Sequence, residues 1–397
     1  MNDTELERLN MNYIHCLNNI SAYGTDLLTS DYALTDAADE AQGILVRSAA
    51  MHDMEFSDNL LAIARAGAGV NNIPLERCAE EGIVVFNTPG ANANAVKELV
   101  LCGMLLGSRG IVCGIEWCRD NAEDPNIAKD AESAKKEFAG QEIMGKKLGV
   151  IGLGAIGAEV ANAALGLGMD VLGYDPFLSP TAAWRLQPAV EFTTAVEDIY
   201  RTCDYITIHV PAVQGTIGMI NKDACALMKD GVVFLNFSRD TLVDPAAMTD
   251  ALASGKVGVY VTDFATPEVM QMPNAIVLPH LGASTEEAED NCAKMAVLEL
   301  MDYIDNGNIV NSVNYPACSL GVCPEGEHRI AVLYNSADLA IGQVTAILEE
   351  AGATFDFANQ TRDEHGYALI NVKEELADDV LAKMADLEGA YLVRRVK

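Results

Sequence analysis

Three residues set just beyond successive apolar runs have the chemistry to oxidise a small alcohol. Leu235-Asn236-Phe237-Ser238-Arg239-Asp240 puts Arg239 past one run, Thr262-Asp263-Phe264 is followed by Glu268, and Leu278-Pro279-His280 puts a histidine past a third. The hydroxyl must lose a proton near neutral pH, a task that suits imidazole, so His280 is the candidate base. A carboxylate such as Glu268 can hold that ring in one tautomer and stabilise its charged form. Arg239 offers a planar fork that matches the carboxylate of a small acid. Taken singly, an arginine near a strand end is a surface ion pair and a lone histidine is structural. The ordered trio is what points to a reaction.

The same stretch supplies a place for the oxidant. Lys146-Lys147-Leu148-Gly149-Val150-Ile151 runs straight into Gly152-Leu153-Gly154-Ala155-Ile156-Gly157. A bare Gly-x-Gly-x-x-Gly is weak, but this one follows a strand-like run, opens a helix-like run (Ala158 to Leu167) and precedes a second strand, Asp170 to Tyr174, that ends at Asp175. Gly152 allows the tight turn, Gly154 lets the backbone approach a pyrophosphate, and Gly157 permits close helix–strand packing. The helix N-terminus then faces the phosphates. Asp175 would accept hydrogen bonds from the ribose hydroxyls and repel a 2′-phosphate, which selects NAD over NADP. The plainer alternative is a glycine turn without a ligand.

Such a site needs a parallel sheet covered on both faces, and the chain has the alternation for it. Strands are expected at Tyr205–Val210, Val232–Phe237, Val257–Thr262 and Ala275–Leu278, with helices between, such as Asp244–Ala253. An upstream set (Gly43–Val46, Leu61–Ala64, Ile83–Phe86, with a helix at Pro74–Glu81) forms a smaller α/β unit ending at Asn87-Thr88-Pro89-Gly90. Helices at Asn94–Arg109 and Thr285–Asn306 carry the chain out of that unit and back. After a Pro- and Gly-containing break at Asn311–Glu327, the tail reads β-α-β-β-α-β, a ferredoxin-like module. Its strands are expected at Ile330–Tyr334, Thr354–Thr361, Tyr367–Val372 and Tyr391–Val396, with helices at Leu339–Glu350 and Ala377–Asp386. The expected division is 1–92, 93–282, a return helix 283–312, a linker 313–328 and a tail domain 329–397.

With 397 residues, half of them hydrophobic, the chain can build more than one core. A net charge of -32 argues against nucleic acid and anionic membrane as partners, and an anionic substrate meets a repelling surface, screened beyond about 8–10 Å. No apolar run reaches the roughly 18–20 residues of a membrane span, and Met1 to Asn12 lacks the apolar core of a signal peptide. The ten cysteines are scattered, and the pairs Cys113/Cys118 and Cys318/Cys323 lack a neighbouring histidine. Reduced cytoplasmic thiols without a metal are therefore expected.

Leu148 to Ser284, with its order of glycine-rich loop, Arg, Glu and His, resembles the D-isomer-specific 2-hydroxyacid dehydrogenases. Ala64-Arg65-Ala66-Gly67-Ala68-Gly69-Val70-Asn71-Asn72-Ile73 and Asn87-Thr88-Pro89 are similar to that family's substrate-domain signatures. Within the family, His280-Leu281-Gly282-Ala283-Ser284-Thr285-Glu286-Glu287-Ala288 and Val313-Asn314-Tyr315-Pro316 look like the branch that acts on a phosphorylated hydroxy acid. The resemblance implies a Rossmann-type doubly wound parallel sheet inserted in a smaller flavodoxin-like α/β substrate domain, a cleft that closes on substrate, and a homodimer or homotetramer. It implies Arg239, Glu268 and His280 as active-site residues. It implies NAD contacts from Ala155, Ile156, Asp175, Phe237, Ser238, Arg239 and Asp263, with His280, Leu281, Gly282 and Ala283 lining the nicotinamide end. Arg47-Ser48 matches a phosphate-binding pair, with Arg65 and Gly69 in the substrate-binding segment. The tail resembles an ACT regulatory domain, which implies an amino-acid effector.

Some positions depart from the pattern. Asn71 stands where aspartate is commoner and Lys97 where alanine is; Lys97 is either a further cation for the substrate or an exposed lysine. In the tail, Tyr334, Ser336 and Asp338 replace the usual His, Asn and Pro, while Gly342 and Gln343 fit. Three alternatives stay open: a reductase of an unphosphorylated 2-oxo acid (glyoxylate, hydroxypyruvate or D-lactate type), a non-catalytic NAD-sensing protein, and a tail that serves only oligomerisation.

Overall fold

The computed structural model describes residues 11–396; the first ten residues of the segment read above as lacking a signal peptide lie outside them. The chain divides into two compact units, Met1–Ala91 with Glu289–Lys397, and Asn92–Ala288.

The first unit opens with strands β1 (Asn12–Cys16), β2 (Tyr32–Thr35), β3 (Gly43–Val46), β4 (Ala62–Arg65) and β5 (Val84–Asn87), and a short helix α1 (Leu75–Glu80). The strands are all parallel in the order β2-β1-β3-β4-β5, the flavodoxin-like order expected. Successive side chains alternate between two apolar layers: Ile44, Val46, Ile63 and Val85 face one, Leu45, Ala62, Ala64 and Phe86 the other. The sequence reading missed β1 and β2. β1 fully buries only Ile14 and β2 only Tyr32, so neither shows the apolar alternation that marks a strand.

The second unit starts with helix α2 (Ala93–Ser108), followed by β6 (Lys147–Ile151), helix α3 (Ala155–Gly166), β7 (Asp170–Tyr174), β8 (Glu191–Phe192), β9 (Tyr205–Ile208), β10 (Val232–Asn236), helix α4 (Pro245–Ala253), β11 (Val257–Thr262) and β12 (Ala275–Val277). These strands form a parallel sheet in the order β12-β11-β10-β9-β6-β7-β8, which is the Rossmann order with a seventh strand added. Val96, Val100 and Met104 of α2 and Val160, Ala161 and Ala164 of α3 cover one face; Met248, Ala251 and Leu252 of α4 lie in the layer on the other. Helix α3 begins three residues earlier than expected, because the last two glycine-motif spacers already take helical geometry.

Helix α5 (Glu286–Asn306) carries the chain back, and the tail follows as β13 (His328–Asn335), helix α6 (Ile341–Glu350), β14 (Phe355–Arg362), β15 (His365–Val372), helix α7 (Asp378–Ala385) and β16 (Ala390–Arg395). Its antiparallel order β14-β15-β13-β16 is ferredoxin-like. Ile330, Val332, Ala368 and Ile370 point to the two tail helices. The opposite face is not free: Ala331, Leu333, Tyr367 and Leu369 share a core with Ile14, Leu45, Tyr303 and Ile304. Tail side chains also answer the carbonyls at the end of α5. Arg394 donates to the Tyr303 carbonyl at 2.6 Å, fully buried Arg329 to that of Asn306 at 2.9 Å, and the Tyr367 hydroxyl to that of Gly307 at 2.6 Å.

Candidate active site

In the second unit, Arg239, Glu268 and His280 follow β10, β11 and β12, three adjacent strands, at their carboxyl ends, and all three are exposed. Asn236, fully buried at the end of β10, shapes the arginine turn: its amide donates to the Arg239 carbonyl at 2.8 Å and accepts from the Ser238 N–H at 3.1 Å. The Ser238 hydroxyl donates to the Val210 carbonyl at 2.7 Å, tying the turn to the neighbouring strand.

Asp263 performs the same service for the histidine. It is 1% exposed, and its two carboxylate oxygens accept the N–H groups of Leu281 and Gly282, each at 2.7 Å, while its carbonyl accepts the His280 N–H at 3.0 Å. His280 itself sits at φ 58°, a left-handed backbone unusual for a non-glycine residue and held there by these bonds. Its ring meets Phe264 edge-on, centroids 5.2 Å apart. Glu268 lines a cavity of about 200 Å³ with Phe264, Thr266, Asp240 and Tyr260. Among the described residues no hydrogen bond or ion pair joins Glu268 to His280, so the structure does not bring this expected pair together.

The glycine turn fits a dinucleotide. Gly152 lies at φ 90°, and a Cβ on it would come within 2.5 Å of the His209 carbonyl. A Cβ on Gly157 would come within 1.9 Å of the Gly152 carbonyl, so that glycine is required by packing. Gly154 has nothing within 4 Å of its Cβ position, leaving an open approach beside the unpaired N–H groups of Ala155, Ile156 and Gly157 at the start of α3. Asp175 accepts from the N–H groups of Leu153 and Phe177, each at 2.9 Å, and still has lone pairs for a ribose. The Phe237 side chain is 6% exposed and packs against Gly103 of α2, so a contact from this position to NAD would come from its main chain.

His209 escaped the sequence reading. It follows β9 where that strand adjoins β6, the point at which strand order reverses. One ring nitrogen lies 2.9 Å from the Thr207 hydroxyl, the other is buried without a partner, and burial pushes its pKa down to about 3. The only sequence signal was a histidine directly after an apolar strand.

The remaining candidates belong to the first unit. Arg47 and Ser48 follow β3, and the side-chain oxygen of Asn18, also missed in the sequence, accepts the N–H groups of Arg47, Ser48 and Ala49 at 2.9, 3.0 and 3.1 Å. Arg65 ends β4 and donates through Nε to the Arg47 carbonyl at 3.0 Å. Gly67, at φ 149°, leaves room for its guanidinium, and Gly69 lies in the turn beyond. The Arg47 guanidinium is paired with Glu289 at 2.6 Å. In the second unit, Lys97 donates to the Asn94 side chain.

All ten cysteines are free thiols, and among the described residues no cluster could hold a metal ion. No single helix among them is long and apolar enough to cross a membrane.

Residues 103–282 match the family described as D-isomer specific 2-hydroxyacid dehydrogenase, NAD binding domain. The chain is 34% identical over 296 residues to a human protein named D-3-phosphoglycerate dehydrogenase, covering 72% of this chain and 53% of that one. A protein of the same name from Archaeoglobus fulgidus is 35% identical over 287 residues, 70% of this chain and 52% of the relative. The chain thus spans about half the length of the curated relatives it matches. Among solved structures, an NAD-bound 3-phosphoglycerate dehydrogenase from Entamoeba histolytica shares the fold at 24% identity and TM-score 0.61, covering 77% of this chain and 99% of that one. A D-mandelate dehydrogenase from Rhodotorula graminis does so at 21% and 0.63, covering 76% and 97%. With a glycine turn, an acid at the second strand and three strand-end side chains all inside the matched span, residues 103–282 are an NAD-binding domain of the D-isomer specific 2-hydroxyacid dehydrogenase family.

Proposed function

We propose that this chain is a D-3-phosphoglycerate dehydrogenase, oxidising 3-phospho-D-glycerate to 3-phosphohydroxypyruvate with NAD at the first step of L-serine biosynthesis. One observation carries the reading: a base, a carboxylate and a guanidinium stand at the carboxyl ends of three adjacent strands of the NAD-binding sheet. His280 takes the hydroxyl proton, Glu268 stabilises the imidazolium, and Arg239 clamps the substrate carboxylate. Bound NAD supplies the hydride acceptor. Arg47 and Ser48 bind the phosphate, with Arg65 and Gly69 beside them. The names of the curated relatives support the substrate.

The enzyme is assigned to the cytoplasm as a homodimer or homotetramer, with its tail as an amino-acid effector module. Tyr334 in that tail already donates its hydroxyl to Asn359 at 2.7 Å, so calorimetry with serine decides whether serine is the effector. The substrate is tested by following NADH oxidation with 3-phosphohydroxypyruvate beside unphosphorylated hydroxypyruvate. A strong preference for the phosphorylated acid, largely erased in Arg47→Ala, is expected. Equal turnover of both acids would return the protein to the general 2-oxo acid reductases.

A further inference from the structure

The main chain around Arg47 is tied down by four hydrogen bonds. Asn18 takes three consecutive N–H groups there, and the Arg47 carbonyl receives the Arg65 side chain. The Arg47 guanidinium takes no part in these bonds; its partner is the carboxylate of Glu289, 2.6 Å away on helix α5. Both side chains are more than two-fifths exposed, so the pair adds little to stability. Its place next to Arg65 gives it another meaning. A carboxylate on that guanidinium occupies the position a substrate anion needs.

We propose that Glu289 is a specificity residue, an internal anion that holds Arg47 until a more highly charged group displaces it. The proposal rests on the reading of Arg47 as the phosphate cation. A phosphate near neutral pH carries close to two charges and three acceptor oxygens, so it competes well with one carboxylate for a guanidinium. A substrate with a neutral hydroxyl at that position cannot compete. Cys292, one turn along the same helix, lies close enough to Arg47 and Arg65 to feel both charges, so this face of α5 is turned towards the arginines.

The test pairs Glu289→Gln with Glu289→Ala and uses two readouts. In steady-state kinetics, KM for 3-phosphohydroxypyruvate should fall about fivefold while kcat stays close to the parent value, the size expected for releasing an exposed ion pair. In calorimetry without turnover, inorganic phosphate should bind more tightly to both variants and lose its binding in Arg47→Ala. A KM that rises or stays put in both variants, with phosphate binding no tighter, overturns the proposal. It would show that Glu289 merely orients the arginine. If instead phosphate binding tightens as expected while Arg47→Ala keeps full preference for the phosphorylated acid, the anion exchange stands and the substrate reading above falls.

Discussion

Asp263 forms no salt bridge among the described residues, yet it is among the most buried charges in the second unit. Two N–H donors satisfy it, and those donors belong to the loop that carries His280. Removing the carboxylate leaves two N–H groups unanswered. Asp263→Ala should therefore cost about 2 kcal/mol of stability and, by letting the histidine drift, about 100-fold in kcat. Denaturant unfolding and initial rates measure the two losses, and a stable variant with parent kcat would remove Asp263 from the positioning role. His209 makes a different prediction. Its folded pKa of about 3 lies below the usual imidazole value near 6.5, so between those limits the unfolded chain binds the extra proton. Its contribution to stability is complete above pH 6.5 and drains away as the pH falls towards 3. His209→Gln should narrow the gap in unfolding midpoint between pH 7.5 and pH 5. An unaltered gap would show that this imidazole titrates freely.

At the level of elements, the glycine turn separates packing from binding. Gly157→Ala drives a methyl into the Gly152 carbonyl and should lower stability by about 1–3 kcal/mol. Gly154→Ala meets no protein atom, so its melting temperature should match the parent while NAD affinity drops about tenfold, because the methyl blocks the pyrophosphate's approach. Thermal melts with and without NAD distinguish them; a Gly154→Ala protein that binds NAD normally would move the pyrophosphate elsewhere. This turn, the strand ends after β10, β11 and β12, and the tail order were all legible in the sequence, since each couples a burial period to a fixed turn chemistry. The helices Ile111–Asp120 and Ile127–Ala134 were not, because neither buries a residue and so neither carries a stripe to read. Nor were Asn18, His209 and Glu289. Their partners are fixed by folding across the sheet or along α5, and no local spacing announces them. The burial of the Phe237 side chain was not legible either, because a motif position speaks of the main chain while the side chain answers to the core behind it.

Across the whole molecule, one buried group in each unit responds to pH with opposite sign. Glu299, on α5 in the first unit, has its pKa pushed up to about 7, chiefly by burial, with one carboxylate oxygen lacking any partner. Being easier to protonate when folded, it stabilises fully below its unfolded value near 4.5, and that contribution is lost as the pH rises through 7. His209, in the second unit, weakens on acidification instead. Glu299→Gln should therefore raise the melting temperature at pH 8.5 relative to the parent and do little at pH 5. A variant that melts with the parent at both values would mean that Glu299 ionises without cost. The tail bears on inheritance as well as on stability. Because Arg329, Arg394 and Tyr367 close the end of the returning helix and the sheet behind them completes a shared interior, this module cannot be exchanged as an independent cassette. Any replacement for it would need three donors at the same spacing, or would leave the carbonyls at the end of helix α5 unanswered.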